Sequence, residues 1–142
     1  RTHGELPVQF GDEIVVYCVA ENRAVEVLSD GPQSVKERAM LAAEPAYGNS
    51  AELGHGVLGD FGCTAVGSLL MDEKLGLHVA FGRSEHFGGI VSPKSFNDPK
   101  NVIHIDRVYV ESLQPDIVAR RVTLFYPDGR EEVIMRDGKW TV

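Results

Sequence analysis

The sequence has few cysteines, few basic residues and no long apolar run. Two cysteines among 142 residues, Cys18 and Cys63, exclude a disulfide-dense scaffold and a zinc site built on paired cysteines. We interpret both as free thiols in a reducing cytosol, so we expect a cytoplasmic protein. The 14 lysines and arginines are outnumbered by 21 aspartates and glutamates, and this balance excludes the clustered positive charge that nucleic acid requires. Without an apolar run of bilayer length or a signal-peptide pattern, we expect no membrane association.

The length and the hydrophobic content predict one domain. A chain of 142 residues with 43% hydrophobic content is long enough to bury one core and too short for two. We therefore expect residues 1–142 to form a single domain. The chain opens at Arg1 without a methionine and soon enters a strand-like run, which predicts a portion of a longer enzyme. The sequence does not decide the oligomeric state, and a homo-oligomer stays open.

Short β-rich runs separated by turn residues dominate the chain. Residues 12–20 and 24–28 are typical of a hairpin, and residues 77–81 of a strand within a glycine-rich middle region. Strong turns at Asp128-Gly129 and Asp137-Gly138 separate further antiparallel strands, predicted at residues 102–110, 117–126, 131–135 and 139–142. The pattern favours an α+β fold, mostly antiparallel β-sheet with few helices.

One helix is predicted after the first hairpin. Ser34 and Glu37 have the spacing of a capping box, which predicts a helix continuing to about residue 43. Val35, Ala39 and Ala42 recur at helical spacing and predict one modest apolar face on this helix.

The run Ile103-His104-Ile105-Asp106 carries the strongest chemical pattern. Side chains alternate across a strand, so His104 and Asp106 share one face, with Cα atoms about 6 to 7 Å apart. An imidazole and a carboxylate at this spacing are able to converge on one ion, as in two-histidine, one-carboxylate sites. The alternative is a partly exposed strand face that happens to carry two polar residues.

Four other residues are candidates for the same site. Glu52 and His55 flank Gly54, and glycine allows the backbone to approach a ligand closely. His78 lies inside an apolar strand, which suits the neutral, metal-binding imidazole, although a hydrogen-bonded core histidine is the alternative. His86, before Gly88-Gly89, is either a substrate-facing residue or an ordinary loop residue.

Several motifs together resemble the aminopeptidase T-like metalloenzymes. From about residue 49 to the end, the chain contains these motifs in a similar order and spacing: Ala-Glu-Leu-Gly at 51–54, Leu-Met-Asp-Glu-Lys at 70–74, His-Val-Ala-Phe-Gly at 78–82, Phe-Gly-Gly at 87–89 and Ile-His-Ile-Asp at 103–106. The resemblance implies that Glu52, His78, His104 and Asp106 bind metal. It also places a further glutamate, used in peptide hydrolysis, before Arg1, so the chain corresponds to the carboxyl-terminal portion of a larger enzyme.

Two positions depart from the peptidases of this family. Glu85 stands where they carry a tyrosine, seven residues after the histidine that matches His78, so their usual transition-state donor is absent. His55 stands where they commonly have an aliphatic residue. With His104 and Asp106 it completes the set that resembles the 2,5-dihydroxypyridine 5,6-dioxygenase branch of the family.

Three functions follow as hypotheses. The first is a metal-dependent hydrolase of the aminopeptidase T or leucyl aminopeptidase type, which uses zinc or cobalt to act on a peptide. The second is a non-haem iron(II) dioxygenase that cleaves the ring of a small molecule. The third is a metal-free, β-rich interaction module. Both enzymatic hypotheses imply a divalent metal cofactor, and both depend on His104 and Asp106.

Overall fold

The computed structural model describes residues 1–141, and β-strands form most of its regular structure. Two helices, α1 (Pro32–Ala43) and α2 (Leu69–Asp72), occur in this part of the chain. The strands are β1 (Gly4–Phe10), β2 (Glu13–Ala20), β3 (Arg23–Val27), β4 (Ser50–His55), β5 (Leu77–Gly82), β6 (His104–Val108), β7 (Arg121–Phe125), β8 (Glu131–Arg136) and β9 (Lys139–Trp140). They form three antiparallel sheets, with strand orders β1-β2-β3, β4-β5-β6 and β7-β8-β9. The expectation of mostly antiparallel sheet with few helices is confirmed, and the α+β class stays a prediction.

The chain divides into two compact units. The first unit contains Arg1–Leu53 and Val79–Arg107, and the second contains Gly54–His78 and the residues from Val108 to the end of the described chain. The expectation of a single domain stays a prediction. None of the helices among the described residues is both long enough and apolar enough to cross a bilayer.

The hairpin predicted near the amino end is present as β2 and β3. Its two turn residues, Glu21 and Asn22, have φ values of 51° and 63°. Positive φ at both central residues is the geometry of the type I′ turn, whose twist matches that of the flanking strands. β1 pairs with the other edge of β2, with Pro7 opposite Val16, and completes the sheet.

The capping box predicted for α1 is wrong. The helix begins at Pro32 after Gly31, and neither Ser34 nor Glu37 caps it. The carboxylate of Glu13 on β2 accepts hydrogen bonds from the backbone N–H of Gln33 (2.8 Å), the backbone N–H of Ser34 (2.7 Å) and the Ser34 hydroxyl (2.8 Å). The Gln33 bond, aided by the two from Ser34, lowers the pKa of Glu13 although burial acts in the opposite direction. Glu13, which is distant in sequence, therefore accepts hydrogen bonds from N–H groups of the first turn that have no partner within the helix.

The predicted apolar face of α1 is also wrong. Val35 is 59% exposed, and Ala39 and Ala42 are exposed as well. The helix buries Ser34 and Glu37 instead. Hydrophobic spacing misplaces the face because the buried partner of this helix is a polar cluster.

Glu37 is the centre of that cluster. Its carboxylate accepts hydrogen bonds from the hydroxyls of Tyr17 (2.9 Å) and Tyr47 (2.7 Å) and from the side-chain amide of Gln33 (2.8 Å). Burial and the nearby carboxylate raise the pKa of both tyrosines well above the ordinary value. The Tyr17 ring also meets Phe81 edge-on, with ring centroids 5.2 Å apart, so the cluster is joined to the apolar core.

The core of the first unit fixes the orientation of β6. Its buried residues are Val8, Val15, Tyr17, Ala24, Val27 and Phe81. Ile103 and Ile105 pack against this core, together with Val79 of β5. Because side chains alternate along a strand, this packing directs His104 and Asp106 to the opposite face.

The second unit contains a small antiparallel sheet close to the one predicted. β7 pairs with β8, and β8 with β9. Asp137 and Gly138 between β8 and β9 have φ values of 46° and 78°, as in the predicted turn. Two strands are shorter than predicted: the run 117–126 is strand only at Arg121–Phe125, and the run 102–110 only at His104–Val108. The run predicted at 139–142 is strand at Lys139–Trp140, and its last residue lies outside the described part.

Candidate metal centre

Three candidate ligands converge in the first unit. Glu52 comes from β4, and His104 and Asp106 come from the polar face of β6. The Nε2 atom of His104 lies 3.4 Å from Oε2 of Glu52 and 3.9 Å from Oδ1 of Asp106. All three ligand atoms lie within 4.8 Å of one another. The side chains are only 22%, 16% and 5% exposed for Glu52, His104 and Asp106, so the cluster is shielded from solvent.

The backbone sets the orientation of the His104 ring. Nδ1 lies 2.8 Å from the carbonyl oxygen of Arg83, which is a good hydrogen-bond length when Nδ1 carries the proton. In that tautomer the Nε2 lone pair points at the two carboxylates, and Nε2 has no hydrogen-bond donor or acceptor among the described residues. A hydrogen bond from the other ring nitrogen to a carbonyl is the usual support of a metal-binding histidine.

The donor set fits a divalent cation. Two carboxylate oxygens and an imidazole lone pair that face one another repel unless a positive charge lies between them. One nitrogen and two oxygen ligands suit zinc, cobalt and other first-row divalent ions, and do not discriminate among them. The arrangement is therefore able to hold a metal, and it does not identify which one.

His86 lies against the same cluster. Its ring meets that of His104 edge-on, with centroids 4.6 Å apart and an interplanar angle of 79°. Phe87 extends this aromatic wall, with its ring centroid 5.7 Å from that of His104. Of the two interpretations open for His86, its place beside the candidate ligands favours the substrate-facing one, and that role stays a prediction.

The carboxylate of Glu85 lies between the side chains of Arg83 and His86. One carboxylate oxygen pairs with the guanidinium of Arg83 at 2.9 Å, and the other lies 3.8 Å from Nδ1 of His86. The position at which the resemblance leads one to expect a tyrosine thus carries a half-buried carboxylate, 32% exposed, beside the His86 imidazole.

His55 and His78 both belong to the second unit. His78 is 4% exposed, and its Nδ1 lies 3.0 Å from the carbonyl oxygen of Gly76. A ligand atom of His78 also lies within 4.8 Å of one on Glu73, a buried residue that was not among the predicted ligands. The ring of His55 packs beside Trp140, with centroids 5.0 Å apart. Metal binding by either histidine stays a prediction.

The carbonyl of Arg83 is the feature that sequence reasoning missed. Any residue supplies a main-chain carbonyl, so residue type carries no signal for this contact. The signal available was indirect: Arg83 directly follows β5, where the backbone is still close to β6, and its N–H donates to the Ile103 carbonyl at 2.8 Å.

Comparison with known proteins relates this fold to part of a larger one. No protein-family model matches the chain, and no curated protein matches it. Among solved structures, one covers 99% of this chain at 20% sequence identity, with a TM-score of 0.55. That structure is the wild-type AmpT of Thermus thermophilus, an aminopeptidase T. The likeness shows a shared fold, and this chain spans 36% of the AmpT chain.

Proposed function

We propose that Glu52, His104 and Asp106 bind a divalent metal ion, and that the chain is the metal-site portion of a hydrolase of aminopeptidase type. The convergence of the three ligand atoms within 4.8 Å on a shielded face carries this proposal. The fold shared with an aminopeptidase T supports the reaction class. The residues of this chain that match the aminopeptidase T-like motifs include all three ligands.

Each residue of the cluster has a distinct part in this proposal. The two carboxylates supply the negative charge that neutralises the ion, and His104, held by the Arg83 carbonyl, supplies a fixed nitrogen ligand. A zinc or cobalt ion, when bound, provides the Lewis acidity that polarises a peptide carbonyl. His86 and Phe87 shield one side of the cluster from water, and we assign His86 the substrate-facing role.

Metal titration of the chain tests the binding step. We expect isothermal titration with Zn²⁺ or Co²⁺ to show one stoichiometric site, and Co²⁺ to give visible absorption typical of a site with few ligands. Glu52→Gln, His104→Gln and Asp106→Asn each remove one ligand and should abolish stoichiometric binding. Glu26→Gln on the exposed face of β3 and His3→Gln at the amino end change the same residue types outside the cluster and serve as matched controls.

The outcomes separate the candidate functions. Metal binding that survives all three ligand substitutions contradicts the proposed site. Release of an amino-terminal residue from a peptide by zinc- or cobalt-loaded protein supports the hydrolase, whereas oxygen consumption by iron(II)-loaded protein contradicts it. Because this chain spans 36% of the AmpT chain, turnover is to be measured on the complete gene product as well as on this chain.

No observation favours the dioxygenase or the metal-free module. The ring-cleaving hypothesis depends on His55, which in the second unit packs beside Trp140. The module hypothesis predicts no stoichiometric metal, and the ligand cluster of the first unit gives it no support.

A further inference from the structure

The strand β7 in the second unit is the edge of its sheet. It pairs with β8 on one side, and no strand of the described residues pairs with its outer side. The N–H of Asp137 donates to the Arg120 carbonyl, and the N–H of Tyr126 donates to the Arg130 carbonyl. Because backbone groups alternate in direction along a strand, the even-numbered positions face β8. The residues whose N–H and C=O groups point to the outer side are therefore Arg121, Thr123 and Phe125.

This edge lacks the features that prevent strands from pairing between molecules, namely proline, bulges, several charges or a very short length. β7 has five residues without proline, and its one charged residue, Arg121, stands at its start. The bulge in this sheet leaves Ile134 of β8 unmatched and does not interrupt β7. The opposite edge, β9, has two residues. Leu124 and Phe125 are 38% and 73% exposed, so β7 combines a free edge with accessible apolar side chains.

The residue order of β7 is complementary to itself when two copies run antiparallel. A two-fold axis at Thr123 places Arg121 of one copy opposite Phe125 of the other, and Val122 opposite Leu124. A guanidinium then meets an aromatic ring, and an aliphatic side chain meets another. The Nε–H of Arg121 donates to the Thr123 hydroxyl at 3.0 Å, as expected for residues on one face of the strand. The two threonines face each other at the axis, where their hydroxyls are able to exchange a hydrogen bond.

Charge is distributed unevenly along the hairpin of β7 and β8. At its open end, Arg120 pairs with Asp137 at 3.4 Å, and at its turn Arg130 pairs with Asp128 at 3.3 Å. The other charged residues at the open end are all basic, namely Arg121, Arg136 and Lys139. The other charged residues near the turn are both acidic, namely Glu131 and Glu132. Antiparallel pairing brings the basic end of one copy beside the acidic end of the other, so the charges favour this arrangement over a parallel one.

We propose that the chain forms a two-fold dimer in which β7 pairs antiparallel with β7 of a second copy, centred on Thr123. The two three-stranded sheets then form one continuous six-stranded sheet. The contact uses the same surface on both copies, so it closes at two chains. A strand of unrelated sequence would satisfy the free backbone groups and would lack the reciprocal side-chain pairs. This inference goes beyond the proposed function and does not depend on the metal ion.

Sedimentation equilibrium tests the dimer, on this chain and on the complete gene product. We expect the mass of the parent to rise with concentration from that of one chain to that of two. Thr123→Lys and Thr123→Glu each place like charges opposite each other at the axis and should weaken the dimer at least about tenfold. An equal mixture of the two variants should form dimers again, because a lysine then faces a glutamate. Thr64→Lys and Thr64→Glu, at an exposed position of the same unit, should leave the dimer unchanged.

Oxidative cross-linking tests the register in a Cys18→Ser, Cys63→Ser background. Opposite residues of a hydrogen-bonded pair have Cα atoms about 5.5 Å apart, within disulfide range, so Thr123→Cys should link to itself across the axis. Phe125→Cys is the control, because the two copies of position 125 lie four residues apart along the strands, about 13 Å, beyond disulfide range. A parent that stays monomeric at about 1 mM, a monomeric mixture of the two charged variants, or equal cross-linking at both positions overturns the proposal.

Discussion

Replacing Glu52 by glutamine tests whether its carboxylate is held for a metal or for the fold. Oε2 of Glu52 and Oδ1 of Asp106 lie within 4.8 Å. Two unit charges at that spacing repel by about 3.5 kcal/mol at an effective dielectric of about 20. Glu52→Gln removes this repulsion, so the metal-free variant should have a higher unfolding free energy than the parent. Because the Glu52 side chain is 22% exposed and an imidazole lies beside it, screening should limit this increase to about 1 kcal/mol. Zinc at 100 times its Kd should stabilise the parent by about 2.7 kcal/mol and the variant hardly at all.

Urea unfolding followed by far-ultraviolet circular dichroism, in EDTA and at one fixed zinc concentration, measures both effects. Glu26→Gln removes the same charge from an exposed position of β3 and should leave the zinc increment intact. The reasoning is refuted if Glu52→Gln is clearly less stable than the parent in EDTA and keeps the full increment in zinc. That result would make Glu52 a structural residue.

Three further substitutions test the fold around the site. Tyr17→Phe keeps the ring and removes a hydrogen bond to the Glu37 carboxylate, so urea unfolding should show a loss of about 1.5 to 3 kcal/mol, and a loss below about 0.5 kcal/mol would contradict this role. The lowered pKa of Glu13 means that its stabilisation is complete above the ordinary carboxyl range and is lost as pH falls through the lowered pKa. Acid should therefore lower the unfolding free energy of the parent more steeply than that of Glu13→Gln, and equal slopes would disprove the cap. Gly54→Ala places a methyl group 1.9 Å from Nε2 of His78, so we expect a loss of about 1 to 3 kcal/mol and a shifted His78 ring resonance, with unchanged values as the contrary outcome.

Local rules predicted the hairpins because turn chemistry depends on adjacent residues. Asn22, Asp137 and Gly138 are residue types that tolerate the positive φ of a type I′ turn, and both turns have that geometry. The start of α1 was mispredicted because its cap comes from Glu13, twenty residues before Gln33, and no local pattern reveals such a partner. Its buried face was mispredicted because a carboxylate surrounded by hydroxyl groups replaces apolar contacts there.

Local patterns also predicted one part of the candidate site and missed the rest. Alternation along one strand was enough to place His104 and Asp106 on a shared face, because it requires no knowledge of other elements. Glu52 joins them because β4 and β6 both pair with β5, and its closeness to Gly54 and the resemblance to a family made it a candidate without fixing where it lies. The contact of His86 with His104 depends on the path of a glycine-containing loop, which local patterns left open between two interpretations.

The hydrogen bond between Nδ1 of His104 and the carbonyl of Arg83 has an evolutionary consequence. No point substitution at position 83 deletes a main-chain oxygen, so the tautomer of the imidazole survives mutation of the side chain that stands there. The same short segment leads into Glu85, His86 and the glycine turn. These residues are able to change in sequence while the orientation of the His104 ring stays the same. Related proteins are therefore able to change substrate through substitutions in this loop, with the three candidate metal ligands unchanged.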